Sequence, residues 1–380
     1  MEFRSGDVES VVTTGTRSTF SEMETTFRGR RCLVTGHTGF KGAWLAQVLH
    51  RLGAKVLGYA LDPVTERDLF VSAGVTDMVK DERGDIRDYD RLRQVVCSYN
   101  PEFVFHLAAQ ALVRRSYTDR KYTFDVNVGG TVNLLESVSE LKGVKSVLIA
   151  TTDKVYNPAL AEPPFSESAL LGGHDPYSGS KAAAELVTDS YFRSCFRHRA
   201  VVVATVRAGN VIGGGDWAED RLIPDVVKGL FDGQPMEIRN PDAVRPWQHV
   251  LEPLSGYLML AMEASHAYKN AEAVDKISGA WNFGPQSAQM HNVGSVVKLF
   301  LRQMDAGQNN VVLRDEHQPD LKHETGLLMI NSDKAAEYLN WTSRWNFEQT
   351  LKATADWYTG FQSGRSAAEL CAANIESYWV

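Results

Sequence analysis

Short apolar runs alternate with amphipathic stretches along most of the chain after residue 30. The runs are five to seven residues long and rich in β-branched residues, as is typical of buried strands: Arg31–Thr35, Lys55–Ala60, Phe103–Leu107, Ser146–Ala150 and Ala200–Val206. Apolar residues between them recur at helical spacing, and helices are predicted around Trp44–Leu52, Leu92–Tyr99, Val126–Leu141 and Tyr177–Phe196. This alternation predicts βαβ units, and therefore an α/β fold with a doubly wound, Rossmann-type parallel sheet.

The pattern changes after Arg207, where glycine, proline and tryptophan punctuate shorter elements. We therefore expect a sheet domain over residues 28–206 and a smaller C-terminal lobe over residues 207–380, lying against the carboxyl ends of the strands. Residues 1–27 are rich in Ser and Thr and lack an apolar core, which predicts a disordered tail. Such a tail is either an incidental extension or a docking arm.

The amino-acid composition and the net charge exclude several classes of protein. The chain has 380 residues, 43% hydrophobic and 23% charged, which excludes a mostly disordered protein. A net charge of −7 without a long basic run argues against nucleic-acid binding. The four cysteines lie far apart, which predicts no structural metal site and fits a reducing cytoplasm. No apolar run is long enough for a membrane span, and the N-terminus lacks a secretory h-region.

A glycine-rich turn follows the first predicted strand. Gly36, Gly39 and Gly42 form a G-x-x-G-x-x-G pattern between that strand and the next helix. Glycines permit a tight turn and a close approach of the backbone to a pyrophosphate, which the free N–H groups of the helix start would bind. Simple turn chemistry also produces such triplets, but the strand–turn–helix context favours a dinucleotide site.

An acidic residue is expected at the end of the second strand, where it would hold the adenosine ribose. Asp62 lies near that position, although a turn aspartate is an alternative interpretation. The nearest following arginine is Arg67, so NAD is favoured over NADP. Asp85 and Ile86 end another short segment and are candidates to bracket the adenine.

A tyrosine and a lysine open a later helix four residues apart. Tyr177 and Lys181 therefore share a helix face. A nearby ammonium favours phenolate, so we expect Lys181 to lower the pKa of Tyr177 and make it a usable base. The pair alone is a common chance pattern, but together with the earlier glycine turn it indicates a dehydrogenase-type site.

These motifs resemble the extended short-chain dehydrogenase/reductase family over about residues 30 to 360. Most members carry a lone Ser or Thr after the strand that ends at Ala150. Sugar-nucleotide 4,6-dehydratases instead carry Thr-Asp followed by Glu or, in the CDP-glucose branch, by Lys. Thr152-Asp153-Lys154 has the Lys form. Further stretches resemble the same branch: residues 36–42, 58–62, 84–88, 207–217, 220–225 and 245–256.

The resemblance implies an NAD-dependent lyase that converts CDP-D-glucose to its 4-keto-6-deoxy derivative. Tyr177 would take the O4 proton during oxidation at C4, assisted by Lys181 and by a hydrogen bond from Thr152. Asp153 would protonate the departing C6 hydroxyl. Lys154 would either take the C5 proton or stabilise the enolate. The family also implies a homodimer or a dimer-based oligomer.

The candidate ligand-binding residues follow from the motifs and the resemblance together. The NAD candidates line the glycine turn and the neighbouring strand ends: Gly36, His37, Gly39, Phe40, Lys41, Gly42, Asp62, Asp85, Ile86, Leu107, Ala108, Ala109, Tyr177 and Lys181. The nucleotide-sugar candidates supply arginine forks for the diphosphate and amide partners: Asn210, Arg221, Arg245 and Asn282. Surface ion pairs are the alternative for the two arginines. Trp217 and Trp247 are candidates for base stacking but more typical of core, and His249 is expected to be structural.

Two stretches depart from the family pattern, Asn157–Gly173 and Asp315–Glu324, which puts the lid contacts of the sugar in doubt. A 4-epimerase or simple reductase on the same fold is an alternative, but neither reaction needs a second acid/base pair such as Asp153 and Lys154. A catalytically inactive dinucleotide sensor is another, and it should lack Tyr177, Lys181 or Thr152.

Overall fold

The structure is a computed structural model that describes residues 19–160, 163–285, 290–306, 311–314 and 329–379. Seven parallel strands form its central sheet, in the order β10-β6-β5-β4-β1-β2-β3. They are β1 (Arg31–Thr35), β2 (Lys55–Ala60), β3 (Lys80–Arg83), β4 (Phe103–His106), β5 (Ser146–Ala150), β6 (Val202–Ala208) and β10 (Gly279–Phe283). The strand order reverses between β1 and β4, and ligands of doubly wound sheets bind at such a switch point. The predicted Rossmann-type sheet is confirmed.

Helices cover both faces of this sheet. In chain order they are α1 (Phe20–Phe27), α2 (Phe40–Arg51), α3 (Leu69–Ser72), α4 (Tyr89–Tyr99), α5 (Val113–Thr118), α6 (Arg120–Phe124), α7 (Gly130–Ser139), α8 (Pro176–Tyr191), α9 (Leu222–Asp232), α10 (Leu251–Ala267), α11 (Ala271–Ile277), α12 (Val293–Gln303), α13 (Asp333–Leu339), α14 (Phe347–Gln362) and α15 (Ala367–Trp379). Within the described residues, none of these helices is both long and apolar enough to cross a bilayer.

The alternation of strand side chains divides the core into two layers. On β1, Cys32 and Val34 join an apolar cluster with α2 and α10, whereas Leu33 joins a second cluster with α4 and α7. Strands buried on both faces have no polar side, which is why they read as continuous apolar runs in the sequence.

Shorter strands form the second lobe. One small sheet has the order β11-β9-β7, from β7 (Asn210–Ile212), β9 (Val244–His249) and β11 (Met290–Asn292). Another pairs β8 (Met236–Arg239) with β12 (Val311–Arg314). The expected division at Arg207 is not a clean boundary, because β10 returns from the C-terminal half to pair with β6.

Helix α1 corrects the expectation that residues 1–27 are a disordered tail. Thr19 and Glu22 form a capping box, and Met23 and Phe27 are fully buried. Phe27 packs on Phe103 with ring centroids 5.1 Å apart. The amphipathic spacing of these two apolar residues was too short a signal to recognise. Residues 1–18 lie outside the described residues, as do residues 315–324, where one departure from the family pattern falls.

Candidate active site

The glycine turn leads from β1 into α2 as predicted. Gly36 has a φ of 75°, and a Cβ there would lie 2.6 Å from the backbone nitrogen of Ala108. A Cβ on Gly42 would lie 2.1 Å from the carbonyl oxygen of Gly36, so only glycine fits. Gly39 caps α2 without a side-chain hydrogen bond, which leaves the first N–H groups of the helix for an anion.

The ends of β2 and β3 form the side expected to bind adenosine. The Asp62 side chain is 86% exposed, and Arg83 from the neighbouring strand lies 3.9 Å away. Sequence reasoning missed Arg83, because β3 pairs with β2 in space while the residue lies 21 positions along the chain. The Asp85 carboxylate is paired with Arg87 at 2.6 Å, which lowers the pKa of Asp85.

Other members of the predicted cofactor set have more structural roles. His37 is fully buried beneath Gly58, and its Nε2 lies 2.9 Å from Asp81. Burial lowers the pKa of His37, although the contact with Asp81 opposes this shift. Ile86 is buried against Gly130. The predicted wall Leu107–Ala109 is half-buried just after β4.

Helix α8 positions the predicted tyrosine and lysine. Asp175 caps its first turn by accepting the Ser178 N–H, with Pro176 in the first helical position. Tyr177 and Lys181 are consequently both buried, 9% and 7% exposed, on one face of the helix. The Lys181 ammonium donates to the Ala150 carbonyl at 2.9 Å, at the end of β5.

The segment after β5 brings the second predicted group of residues to the same place. Thr152 caps a short 3₁₀ turn over Asp153–Val155, and its hydroxyl donates to the Asp153 carboxylate at 2.9 Å. Asp153 is 3% exposed, while Lys154 is half-buried. A Cβ on Gly209 would lie 3.1 Å from the Asp153 carboxylate, so glycine at 209 keeps room beside the acid.

The pKa of Tyr177 differs from the sequence expectation. Burial raises the pKa of this phenol to about 12, although an interaction with the Thr152 hydroxyl and the charge of Arg221 lower it. Burial also lowers the pKa of Lys181 to about 8. Loss of solvent around the phenol therefore outweighs the interactions that favour its charged form.

Two residues beside this pair enlarge the site: Lys41, which is half-buried, and Tyr257, which is buried. Burial lowers the pKa of Lys41 to about 8; Arg221 and Lys181 add to this shift and Asp153 opposes it, so Lys41 lies among these charges. Its ammonium lies 5.7 Å from the ring centre of Tyr257. The Tyr257 hydroxyl is buried without a hydrogen-bond partner among the described residues. Sequence reasoning missed Tyr257, because a tyrosine inside the apolar helix α10 gives no functional signal.

The second lobe supplies the predicted substrate residues. Arg221 precedes α9 and pairs with the buried Asp216 at 3.1 Å, which raises the pKa of Arg221. Asn210 on β7 and Arg245 on β9 lie on adjacent strands of one small sheet. The structure thus brings Arg221 close to Tyr177 and places Asn210 and Arg245 in the same lobe.

Asn282 does not fit its predicted role as a direct substrate contact. It is fully buried, its amide group donates to two backbone carbonyls, and its oxygen accepts from the Tyr156 hydroxyl at 2.6 Å. Trp217 and Trp247 are buried in the apolar core, and His249 is fully buried.

Comparisons with known proteins agree with this arrangement. The family model described as GDP-mannose 4,6 dehydratase matches residues 33–354. A CDP-glucose 4,6-dehydratase of Salmonella typhimurium is 41% identical over 357 residues, covering 93% of this chain and 97% of that protein.

Solved structures show the same fold. A dTDP-glucose 4,6-dehydratase from Streptomyces venezuelae, solved with NAD and TYD bound, aligns with a TM-score of 0.72 and 23% identity, covering 89% of this chain and 99% of the other. An epimerase from Methanothermobacter thermautotrophicus aligns with a TM-score of 0.73 and 24% identity, covering 90% of this chain and 96% of the other.

Proposed function

Because the chain belongs to the GDP-mannose 4,6 dehydratase family, we propose that it dehydrates CDP-D-glucose to CDP-4-keto-6-deoxy-D-glucose with NAD regenerated in each turnover. The observation that supports the proposal is the contact of Thr152 with both Asp153 and Tyr177, next to Lys181 at the end of β5. Lys154 follows Asp153 in the chain. The 41% identity with a CDP-glucose 4,6-dehydratase supports the choice of nucleotide.

The residues around the glycine turn fit a dinucleotide. The backbone of Gly36 and Gly42 is packed too closely for any side chain, and the uncapped start of α2 offers N–H groups to a pyrophosphate. Exposed Asp62 is available to a ribose hydroxyl. The chemistry that bound NAD⁺ would supply is the uptake of a hydride from C4 and its delivery to C6, and the positive charge of the cofactor would favour the phenolate of Tyr177.

Tyr177 and its neighbours serve the oxidation at C4. Tyr177 accepts the O4 proton, and the Thr152 hydroxyl stabilises negative charge that develops on O4. Lys181 donates to the Ala150 carbonyl, and its positive charge would hold the nicotinamide ribose of the cofactor. Arg221 and Arg245 hold the diphosphate, and Asn210 contributes an amide on the same side.

The elimination segment, which we define as Thr152–Lys154, serves the loss of water. The 4-keto group acidifies the C5 proton. Lys154 either removes that proton, and returns a proton to C5 when the hydride reaches C6, or stabilises the enolate while solvent takes up and returns the proton. Asp153 donates a proton to the C6 hydroxyl, so it must be neutral when it acts. A 4-epimerase needs no such second pair, and for this reason we prefer the dehydratase.

A comparison of nucleotide sugars tests the proposal. Purified protein is incubated with CDP-, dTDP-, GDP- and UDP-glucose, and the alkali-induced absorbance of a 4-keto sugar is followed. We expect the signal with CDP-D-glucose and much less with the others. A signal with none of them would refute dehydratase activity, and preference for another base would refute the choice of nucleotide.

We also propose that the protein is a homodimer and that it is located in the cytoplasm. Phe124 on α6 and Leu186 on α8 are exposed by 42% and 65% on helices that pack together, which supports a homodimer. The four cysteines are free thiols, as a reducing cytoplasm maintains them. Light scattering of the wild type and of Leu186→Asp tests the dimer, which the charge should dissociate.

A further inference from the structure

A buried ion pair between Glu185 and Arg207 lies beside the proposed catalytic residues and has no part in the steps above. The side chains are only 4% and 3% exposed. The contact is bidentate, with Nε to Oε1 at 2.9 Å and Nη2 to Oε2 at 2.8 Å. Replacing a buried ion pair by apolar residues often leaves a protein equally stable or more stable, so stability alone does not explain the pair.

The Glu185 carboxylate links the catalytic helix to the start of the elimination segment. Glu185 follows Lys181 by one turn of α8 and shares its face. It accepts hydrogen bonds from the Thr151 hydroxyl at 2.5 Å and from the Thr205 hydroxyl. Thr151 directly precedes Thr152, so one end of the elimination segment is fixed to the helix that carries Tyr177 and Lys181.

The Arg207 guanidinium fixes the other end through Tyr156. Its Nη1 donates to the Tyr156 hydroxyl at 2.8 Å, and that hydroxyl donates to Asn282 at 2.6 Å. The Tyr156 ring stacks on Phe165 with centroids 5.0 Å apart. Asn282 in turn donates to the carbonyls of Phe165 and Asn331, each at 2.9 Å. The hydroxyl of Tyr156 and the side-chain amide of Asn282, which lies on β10, therefore both have hydrogen-bond partners. These bonds fix Tyr156 against β10.

We propose that Glu185, Arg207 and Tyr156 are positioning residues that hold the elimination segment at both ends. The inference rests on the proposed function, in which one bound sugar presents C4 to Tyr177 and then C5 and C6 to the Asp153–Lys154 pair. The two groups of residues must keep a fixed separation for both steps. A displacement of about 1 Å in such a group costs about 100-fold in rate.

Tyr156→Phe tests the outer anchor. It removes the hydroxyl and both of its hydrogen bonds but keeps the stacked ring. With CDP-D-glucose in single turnover, we expect reduced nicotinamide to form within about threefold of the wild-type rate and product to form about 10- to 100-fold more slowly. The KM should change little, and reduced cofactor should accumulate in the steady state.

Thr151→Val tests the inner anchor independently. It removes the hydroxyl that Glu185 accepts while keeping the size of the side chain. We expect the same division between fast oxidation and slow elimination. Thr151→Ser restores the hydroxyl and should restore the wild-type ratio of the two rates. Reduced cofactor that fails to accumulate in both Tyr156→Phe and Thr151→Val would overturn the proposal.

Tyr378→Phe is the matched control. Tyr378 is also buried, and its hydroxyl lies 2.8 Å from Glu252 and 3.0 Å from Ser255. The control should lower the thermal stability but keep the wild-type ratio of oxidation to elimination. If Tyr156→Phe slowed both steps equally, as a general loss of structure would, the network would have no specific positioning role.

Amide hydrogen exchange distinguishes the failure of this inference from the failure of the proposed function, because it needs no substrate. In Tyr156→Phe, or in Thr151→Val if the first variant does not fold, exchange should rise in residues 152–155 and stay unchanged in α8. Unchanged exchange in residues 152–155 would overturn the network. Raised exchange together with a wild type that is inactive on CDP-D-glucose would refute only the proposed function.

Discussion

Thr152 contacts one residue from each half of the proposed reaction, the oxidation and the elimination. Its hydroxyl donates to the Asp153 carboxylate at 2.9 Å, and it also interacts with the Tyr177 phenol. In the proposed function, Tyr177 serves the oxidation at C4, whereas Asp153 acts only when the C6 hydroxyl departs. Tyr177 and Asp153 both lie next to Thr152, so their positions alone do not distinguish their roles. Substitutions at each residue can distinguish them.

Asp153→Asn should stop the reaction after oxidation. The amide keeps the shape of the side chain but has no acidic proton to give to the C6 hydroxyl. We expect turnover to fall by about 10²–10⁴-fold, the usual range for the loss of a general acid. The enzyme should stall with a 4-keto-hexose and bound reduced nicotinamide, which is checked by absorbance after mixing with substrate.

Tyr177→Phe is the matched variant for that experiment, since it removes the group that accepts the O4 proton. It should give no reduced cofactor on mixing with substrate. The role of Asp153 as the elimination acid would be wrong if Asp153→Asn behaved in the same way, or if it turned over at the wild-type rate.

Arg245→Ala should weaken substrate binding without affecting NAD. Arg245 lies on β9, in the same small sheet as Asn210, whereas the glycine turn follows β1 of the central sheet. Loss of a desolvated arginine–phosphate pair costs about 2–5 kcal/mol. Calorimetric titration with CDP and with NAD measures the two affinities separately. Unchanged CDP affinity would remove Arg245 from the substrate site.

At the scale of elements, helix α1 is an additional helix that precedes β1 in the chain and contributes to the core. Met23 and Phe27 are fully buried, and α1 packs against α10. Phe27→Ala should therefore destabilise the fold by about 3–5 kcal/mol, as is usual for a buried phenylalanine. Thermal unfolding measures this effect, while kcat per folded molecule should be unchanged.

Thr25→Ala is the control for that substitution, because Thr25 is exposed on the same helix. It should change stability by less than about 0.5 kcal/mol, as surface substitutions usually do. Equal stability of Phe27→Ala and Thr25→Ala would mean that α1 does not contribute to the core.

The sequence predicted those elements whose pattern is local. The strand β1, the turn at Gly36 and the pair Tyr177–Lys181 could be recognised because each signal lies within one short stretch. Arg83 and Tyr257 could not be recognised from the sequence, because strand pairing brings Arg83 to the site and helix packing brings Tyr257 there. The pKa of Tyr177 was mispredicted because burial is a property of the folded chain and not of the tyrosine–lysine spacing.

At the scale of the whole molecule, Glu252 joins three parts of the C-terminal half. It lies fully buried in α10, where its carboxylate accepts the N–H groups of Arg344 and Trp345 and the hydroxyl of Tyr378 from α15. Its hydrogen bonds favour the charged form, but burial outweighs them and raises the pKa of Glu252 from 4.5 to about 7.

Glu252 should therefore make the fold less stable as the pH rises from about 4.5 to about 7. In this window the unfolded chain has released the Glu252 proton and the folded chain still holds it, so folding requires proton uptake. The full penalty, about 3 kcal/mol, is reached above the folded pKa. Glu252→Gln removes the titration and should gain stability relative to the wild type by that amount between pH 4.5 and 8, measured by urea unfolding at each pH. The exposed control Glu348→Gln should show a nearly flat difference. A flat difference for Glu252→Gln as well would show that the carboxylate is ionised in the folded protein throughout this range.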